Sequence, residues 1–301
     1  MAVDVLLPFH GDVRLLRLAV ESVLAQDDDD WRLTLVDDAS DVGGLARWIE
    51  GLGDERVRYL RNSGNLGAPG NYRRCLELVE HDFVVVMGAD DLMLPWYIRT
   101  VKHVLAQHPR AAVLQPGVGV VDLDGIERVS MVDSAKRFLR RGAVHHGERD
   151  GSRVELQGEP LAVSLLHGNW TYFPSLCWRA DFLTPQRIRT DLDVLADFAV
   201  LLDLTTSGRT LVCDPRPAFL YRRHQLSDSS VRARRGSRFT EERAFYGEAA
   251  ERYANLGWRR AARAARLHLS SRAHAAWQIG AAVRCHDVSA TPRLLRHALG
   301  T

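Results

Sequence analysis

The sequence predicts an α/β fold, with a mostly parallel, doubly wound sheet followed by an α-helical C-terminal extension. Two observations support this prediction. Strand and helix patterns alternate through the first 121 residues, as in right-handed βαβ crossovers. From about Ser237 the chain instead reads as three helices rich in Ala and Arg. The two regions therefore differ in architecture.

The elements of the first region follow in a regular order. Strands are predicted for VDVLLPF, WRLTLVD, RVRYLRN, FVVVM and AAVLQPGVGVVD. The segments between them, such as RLLRLAVESVLAQ, place apolar residues at helical spacing. Residues 122–159 are polar, irregular and Gly-rich, which predicts a mobile connection. DLDVLADFAVLLDLTTSG then predicts a helix, and RTLVCDPRPAFLYRR a strand.

Composition sets the broad class. A chain of 301 residues that is 46% hydrophobic suits one large domain, alone or with an appendage. No apolar run approaches the roughly 20 residues that span a bilayer, and the N-terminus lacks a basic leader. The four cysteines are widely scattered, which argues against a disulfide framework or a thiolate metal site. These features predict a reduced, cytoplasmic setting.

Charge is distributed unevenly along the chain. Residues 1–230 hold 26 Lys and Arg against 33 Asp and Glu, whereas residues 231–301 hold 14 against 5. The basic tail lacks a recognised nucleic-acid motif, so nucleic acid is not an expected partner. A solvated helix face is the first interpretation of its arginines. Peripheral contact with the inner face of a membrane is the alternative.

Polar clusters follow three of the predicted strands, in PFHGD, VDDAS and GADD. Ligands of doubly wound sheets bind outside the carboxyl ends of the strands, where these clusters would converge. Asp90 and Asp91 end the most hydrophobic strand. Buried carboxylates are costly unless a positive group meets them. The pair therefore predicts a basic partner or a metal ion.

Several ordered motifs carry a family resemblance over about residues 3–230: LLPFHG, ESVLAQ, LVDDAS, NSGNLGAPGN, GADDLMLP, LADFAVLLDLTTSG and YRRHQLSDSS. The sequence is similar to inverting family 2 glycosyltransferases with the GT-A fold. Its tail resembles the helical extensions of actinobacterial members. The resemblance implies a GT-A domain over 1–230, with a nucleotide-sugar half at 1–121 and an acceptor and catalytic half at 160–230. Residues 231–301 form the extension.

The resemblance implies a metal site beside the donor diphosphate. Mn²⁺ or Mg²⁺ would be held by Asp90, Asp91 and His224, and oxygen ligands suit both ions. Arg222 and Arg223, which precede the histidine, could face phosphate. Gly88 stands where many members have the first acid of an Asp-X-Asp motif. Helix capping is the structural alternative for one of the two aspartates.

The resemblance also implies a nucleotide site, with a UDP-sugar as the favoured donor. His10 occupies the position where the family packs an aromatic ring against the base, and Asp38 matches a contact to base or ribose. The NLGAPGN loop would border the nucleotide, although its residues are also ordinary turn formers. The implied nucleotide-binding residues are Pro8, Phe9, His10, Asp38, Asn65, Asn71 and Asp90.

Asp197 matches the carboxylate that inverting members use as general base on the acceptor hydroxyl. Asp191 and Asp193 are nearby rivals, with an acidic helix N-terminus as their structural interpretation. Asn169, Trp170 and Tyr172 suit a sugar or lipid-linked acceptor, with core packing as the alternative for the aromatic residues.

The expected role is transfer of a sugar to a glycan, lipid-linked or small-molecule acceptor during synthesis of a cell-surface polysaccharide or glycolipid. Natural-product glycosylation is the alternative role. A nucleotidyltransferase is disfavoured, because PFHGDVR is a poor match to a glycine-rich, basic phosphate loop. A catalytically inactive nucleotide-binding module stays open, because Gly88 and Ala196 replace family acids.

Overall fold

The computed structural model describes residues 2–128, 130–144, 148–150, 152–223, 237–284 and 295. The described strands form one ten-stranded sheet with the order β3-β2-β1-β4-β9-β6-β10-β8-β7, and β5 pairs with β10. They are β1 (Val3–Phe9), β2 (Trp31–Asp37), β3 (Val57–Arg61), β4 (Phe83–Val86), β5 (Leu92–Met93), β6 (Ala111–Val121), β7 (Glu148–Asp150), β8 (Arg153–Leu156), β9 (Cys177–Arg179) and β10 (Thr210–Arg222).

Helices cover both faces of this sheet. The described helices are α1 (Val13–Leu24), α2 (Leu45–Glu50), α3 (Gly67–Leu76), α4 (Tyr97–Gln107), α5 (Met131–Val144), α6 (Gly158–His167), α7 (Ala196–Thr205), α8 (Ser237–Asn255), α9 (Arg259–Leu267) and α10 (Leu269–Arg284). Short 3₁₀ turns span Phe173–Ser175 and Pro185–Arg187. No described helix is long and apolar enough to cross a bilayer.

The first half of the sheet confirms the predicted parallel order. Strands β3, β2, β1 and β4 are parallel to one another. All four residues of β4, FVVV, are buried, as expected of a strand covered on both faces. Along β1, Val5 and Leu6 belong to different core clusters, because successive side chains point to opposite faces. The carboxyl ends of these strands therefore share one edge.

The second half of the sheet is mixed. Strand β9 lies between β4 and β6 and is antiparallel to both. Strands β6 and β10 are parallel, and β8 and β7 continue antiparallel at the edge. The prediction of a mostly parallel sheet thus describes the part built from successive βα units. Strand β9 has only three residues, CWR, so alternation could not reveal its direction.

The prediction that residues 122–159 lack regular structure is wrong for the described part, whereas their mobility stays a prediction. This segment contains α5, the β7–β8 hairpin and the start of α6. Apolar periodicity failed to reveal α5 because its exposed face carries Met131 and Phe138, 79% and 76% exposed. Its buried positions include the acidic Asp133. Hydrogen bonds, rather than an apolar stripe, hold this part of the helix.

The tail forms three helices, as predicted. The alanines of α9 are buried, whereas Arg259, Arg260, Arg263 and Arg266 are exposed. Apolar residues of α8 and α9 belong to the same core cluster as α7. Helix α8 packs against α7, which carries the predicted general base, through Phe245 and Tyr246 on Phe198, whereas α9 packs against α8 and α6.

Candidate active site

A cavity of about 350 Å³ lies beside the turn that follows β4. Five predicted site residues line it: Asp90, Asp91, Asn169, Tyr172 and Asp197. The sheet, the segment before the first 3₁₀ turn and the start of α7 supply them. Two carboxylates from one turn thus share a cavity with a third carboxylate from a distant helix. Further polar side chains in the lining are Tyr72, Lys136, Thr171, Asp193 and Tyr221.

The Asp90–Asp91 turn presents a buried carboxylate with an unsatisfied oxygen. Asp91 is 1% exposed, and its Oδ1 accepts a 2.8 Å hydrogen bond from the backbone N–H of Arg222. Its Oδ2 is buried and has no hydrogen-bond partner among the described residues. Burial, and then the neighbouring charge of Asp90, raise the pKa of Asp91 well above its ordinary value. A cation at Oδ2 would relieve both penalties.

Gly88 owes its identity to this carboxylate. A β-carbon at position 88 would lie 2.5 Å from Oδ2 of Asp91 and 2.9 Å from Oδ1 of Asp90. Any larger residue would therefore displace these carboxylate groups. The absence of an acid at this position is thus a packing consequence of how the two following aspartates fold back.

Arg222 is part of the frame of the turn. It is 2% exposed, and its guanidinium donates to the backbone carbonyls of Asp90, Asp122 and Leu123 at 2.7–3.0 Å. The prediction that Arg222 faces phosphate is wrong, because its donors are directed to buried carbonyls. His224, the predicted third metal ligand, lies outside the described residues. Among the described residues, no group of three His, Cys, Asp or Glu side chains could hold a metal ion.

Arg223 belongs to a network that the sequence did not reveal. Its guanidinium contacts both carboxylate oxygens of buried Asp133, at 2.6 and 3.1 Å, and the Tyr172 hydroxyl donates to Asp133 at 2.9 Å. Burial acts to raise the pKa of Asp133, but hydrogen bonds from Arg223 and Ser130 outweigh it and lower the pKa. Asp133 is therefore ionised at neutral pH and fixes Tyr172 at the cavity wall.

Lys136 of α5 completes this wall. Its Nζ donates to the backbone carbonyl of Thr171 at 2.6 Å and lies 4.1 Å from the centre of the Tyr172 ring. A cation over an aromatic face is favourable. The basic run KRFLRR therefore contributes a side chain to the cavity. Only its assignment to a helix could have indicated which of its residues point inward.

Asp197 stands in the first turn of α7, partly buried, and its Oδ1 accepts from the N–H of Phe198 at 2.7 Å. Asp193 also lines the cavity and is exposed. Asp191 lies outside the lining and is held by Arg189 through two contacts of 2.5 and 3.2 Å. Asp193 therefore remains the alternative candidate for the general base, whereas Asp191 lies outside the cavity.

Tyr72 and Tyr221 lie near the acidic groups. Burial, and then Asp197 and Asp90, raise the pKa of Tyr72. Burial, and then Asp91, raise that of Tyr221. Both phenols therefore stay protonated at neutral pH and can donate hydrogen bonds in the cavity. Neither was singled out from the sequence, where an isolated tyrosine gives no such signal.

Of the three predicted acceptor residues, two line the cavity. Asn169 accepts from the N–H and hydroxyl of Thr171 at 3.1 and 2.7 Å, which shapes the segment, and Tyr172 is fixed as described above. Trp170 is 1% exposed, and its indole N–H donates to Ser164 at 2.9 Å. The prediction that Trp170 contacts the acceptor is wrong, because its ring is part of the hydrophobic core.

Two predicted nucleotide residues are likewise structural. Phe9 is 1% exposed within the core, so its ring cannot reach a nucleotide. Asn71 is 3% exposed, its Nδ2 donates to the Val36 carbonyl, and its Oδ1 accepts from Asn62. Both residues were predicted from motif position alone. Both side chains are buried next to the carboxyl ends of β1 and β2, so they stabilise these strand ends.

The remaining predicted nucleotide residues cluster at the ends of β1 and β2. Exposed His10 approaches the Asp38 carbonyl at 3.3 Å. Asp38 itself is 2% exposed, and its Oδ1 accepts from the Leu66 N–H and the Asn62 side chain, both at 2.8 Å. Asn65 is exposed and accepts from the Gly67 N–H at 2.8 Å. Pro8 precedes them in β1 and is partly buried. This group adjoins the cavity through α3, and its nucleotide contacts stay a prediction.

Comparisons with known proteins point to one family. The family described as Glycosyl transferase family 2 matches residues 4–152. Putative glycosyltransferase EpsE of Bacillus subtilis is 27% identical over 134 residues, which cover 44% of this chain and 48% of EpsE. Putative colanic acid biosynthesis glycosyl transferase WcaA of Escherichia coli is 28% identical over 94 residues, 31% of this chain and 34% of WcaA. The chain thus spans half or less of these relatives.

Among solved structures, S. aureus TarS residues 1–349 in complex with UDP-GlcNAc superimposes with a TM-score of 0.60. The identity is 13%, and the match covers 83% of this chain and 66% of that chain. At this identity the likeness concerns the fold. The predicted GT-A architecture is confirmed at that level, with the mixed central sheet and the helical C-terminal part.

Proposed function

Because this chain belongs to glycosyltransferase family 2, we propose that it transfers a sugar from a nucleotide-diphospho-sugar to an acceptor hydroxyl with inversion at the anomeric carbon. One observation carries the proposal. The cavity of about 350 Å³ is lined by the Asp90–Asp91 turn and also by Asp197. Inverting transfer needs a site for the leaving diphosphate and a separate base for the acceptor, and these two groups suit those roles.

The donor half of the proposal rests on Asp90 and Asp91. Mn²⁺ or Mg²⁺ would be held by these carboxylates, because Asp91 Oδ2 is a buried oxygen without a hydrogen-bond partner among the residues that the structure describes. His224 remains the predicted third ligand. A bound divalent ion would neutralise charge on the departing diphosphate. Arg222 contributes by fixing the turn through the Asp90 carbonyl and the Asp91 carboxylate.

The acceptor half rests on Asp197. Its carboxylate would accept the proton of the acceptor hydroxyl as the oxygen attacks the anomeric carbon and the bond to the diphosphate breaks. Tyr72 remains a phenol near Asp197 and can donate a hydrogen bond to a substrate oxygen. Asn169, Tyr172 and Lys136 line the cavity from the other side. They would orient the acceptor sugar.

Relatives suggest the biological setting. EpsE is named a putative glycosyltransferase, WcaA is named for colanic acid biosynthesis, and TarS has been crystallised with UDP-GlcNAc. We therefore favour a UDP-sugar donor and a role in cell-surface polysaccharide or glycolipid synthesis, with natural-product glycosylation as the alternative. A cytoplasmic location completes the proposal. The exposed arginines of α9 would form a solvated helix face, with peripheral contact at the inner membrane face as the alternative.

A donor panel tests this function. Release of free nucleotide would be measured from UDP-, GDP- and dTDP-sugars with Mn²⁺, with Mg²⁺ and with EDTA. Thermal unfolding would be followed with each nucleoside diphosphate under the same conditions. We expect metal-dependent stabilisation by UDP and metal-dependent release from a UDP-sugar. Stabilisation without release from any donor would favour the inactive nucleotide-binding module. The absence of both stabilisation and release would overturn the proposal.

Gly88→Ala is expected to weaken metal-dependent UDP binding by at least about tenfold. The new β-carbon would lie 2.5 Å from Asp91 Oδ2, a separation that forces the carboxylate to move, and metal sites tolerate little displacement of their ligands. Isothermal titration of UDP with Mn²⁺ measures the change. Gly247→Ala is the matched control, because a β-carbon there meets nothing within 4 Å. Equal affinities in both variants would contradict this role of the turn.

A further inference from the structure

We infer that Glu241, on the first helix of the C-terminal tail, is a positioning residue for the general-base segment. The inference rests on the proposed function, because it concerns the segment that leads to Asp197. Glu241 does not line the cavity. It would act by fixing the backbone that carries the cavity's carboxylates.

Three hydrogen bonds carry the inference. The Glu241 carboxylate accepts from the N–H groups of Asp193, Val194 and Leu195, each at 2.8 Å. Asp193 binds one oxygen, and Val194 and Leu195 share the other. These amides lie directly before α7, whose N-cap residue, Leu195, makes no side-chain capping bond. A distant glutamate therefore holds the three backbone N–H groups that lead into α7, and its negative charge lies beside the N-terminus of that helix.

The rest of α8 holds the same partner helix. Phe245 and Tyr246 pack on Phe198 with ring centroids 5.7 and 6.2 Å apart. Further along, Arg252 contacts Asp203 at 2.6 Å. Contacts thus advance along α8 and α7 in the same direction. The tail helix supports α7 along its length, with Glu241 at the end that faces the cavity.

A carboxylate in this position does more than add stability. The three bonds restrain consecutive amides from Asp193 to Leu195, directly before the first turn of α7. Misplacement of a catalytic group by about 1 Å can cost about 10²-fold in rate. A neutral Gln at position 241 could still accept at its amide oxygen, but its NH₂ group would oppose one of the N–H donors.

The test compares Glu241→Gln and Glu241→Ala with Arg252→Gln, which loosens the other end of the same helix pair. Nucleotide release from UDP-GlcNAc gives kcat and KM, and titration with UDP and Mn²⁺ gives donor affinity. We expect kcat to fall about tenfold in Glu241→Gln and about 10²-fold in Glu241→Ala. UDP affinity should stay within about twofold. Hydrogen exchange at residues 193–195 should accelerate only in the Glu241 variants.

Arg252→Gln should lower the melting temperature by about as much as the Glu241 variants do, while its kcat stays near the parent value. If kcat follows melting temperature in all three variants, Glu241 is merely structural and the inference is overturned. Asp197→Asn separates the two proposals. A slow Asp197→Asn beside a fully active Glu241→Gln would refute the positioning role alone. An Asp197→Asn variant as fast as the parent would refute the proposed base.

Discussion

Asp197→Asn is expected to lower the rate of sugar transfer by about 10²–10⁴-fold, the usual contribution of a general base. Asparagine keeps the size of the side chain, and its Oδ1 can still accept from the Phe198 N–H. It cannot accept the proton of the acceptor hydroxyl. Donor binding should persist, because the proposed donor ligands, Asp90 and Asp91, lie in a separate turn. Steady-state kinetics and titration with UDP and Mn²⁺ measure the two effects.

Asp193→Asn is the critical comparison. Asp193 lines the same cavity, whereas Asp191 is occupied by Arg189 outside it. Asp191→Asn should therefore change transfer little. If Asp193→Asn abolishes transfer while Asp197→Asn stays near the parent rate, the base has been assigned to the wrong carboxylate. Product analysis by NMR would show inversion at the anomeric carbon, and a retained configuration would refute the single-displacement route.

The sequence predicted the parallel half of the fold because two simple signals coincide there. Apolar runs such as FVVV can only be central strands or buried helix, and polar residues at their ends mark the functional edge. Asp90, Asp91 and Asp197 were found in this way and through the family motifs. The convergence of their side chains on one cavity follows from the shared edge and the position of α7.

Other parts could not be predicted because motif position does not reveal burial. Phe9, Asn71 and Trp170 occupy family positions next to the site, yet each is at most 3% exposed. Their exposure depends on neighbours that are distant in the chain. Arg222 shows the same effect, since its buried partners are the carbonyls of residues 90, 122 and 123.

Polar contacts between residues that are distant in the chain could also not be predicted from the sequence. Asp133 and Arg223 lie 90 residues apart, and neither residue type predicts the other. The partner of the three amides before α7, Glu241, follows 46–48 residues later in the chain. Asp191 and Asp193, for which a helix N-terminus is the structural interpretation, lie shortly before α7, which begins at Ala196. The tail residue that holds this segment could be found only from the fold.

Asp91→Asn is expected to stabilise the metal-free protein while abolishing metal-dependent UDP binding. The asparagine oxygen can keep the bond from the Arg222 N–H. The NH₂ group would replace Oδ2, which has no hydrogen-bond partner in the part of the chain that the structure describes. Removing a buried unsatisfied group should add about 1–3 kcal/mol to the free energy of unfolding at neutral pH. Asp90→Asn should lose metal-dependent binding without this gain, because Asp90 is only partly buried.

The raised pKa of Asp91 also determines how the stability advantage of Asp91→Asn should change with pH. Burial raises the pKa of Asp91 in the folded protein, so the folded state binds more protons than the unfolded state above the ordinary Asp pKa of about 3.9. The contribution of Asp91 to the stability of the parent should therefore fall as pH rises from about 4 through the raised pKa. The advantage of Asp91→Asn should accordingly be small near pH 4 and grow toward pH 8 in EDTA. Unfolding curves for the parent, Asp90→Asn and Asp91→Asn at both pH values test this expectation. A parent as stable as Asp91→Asn at pH 8 without metal would mean that the ionised Asp91 carboxylate is already compensated within the protein, and the case for a cation at Oδ2 would fail.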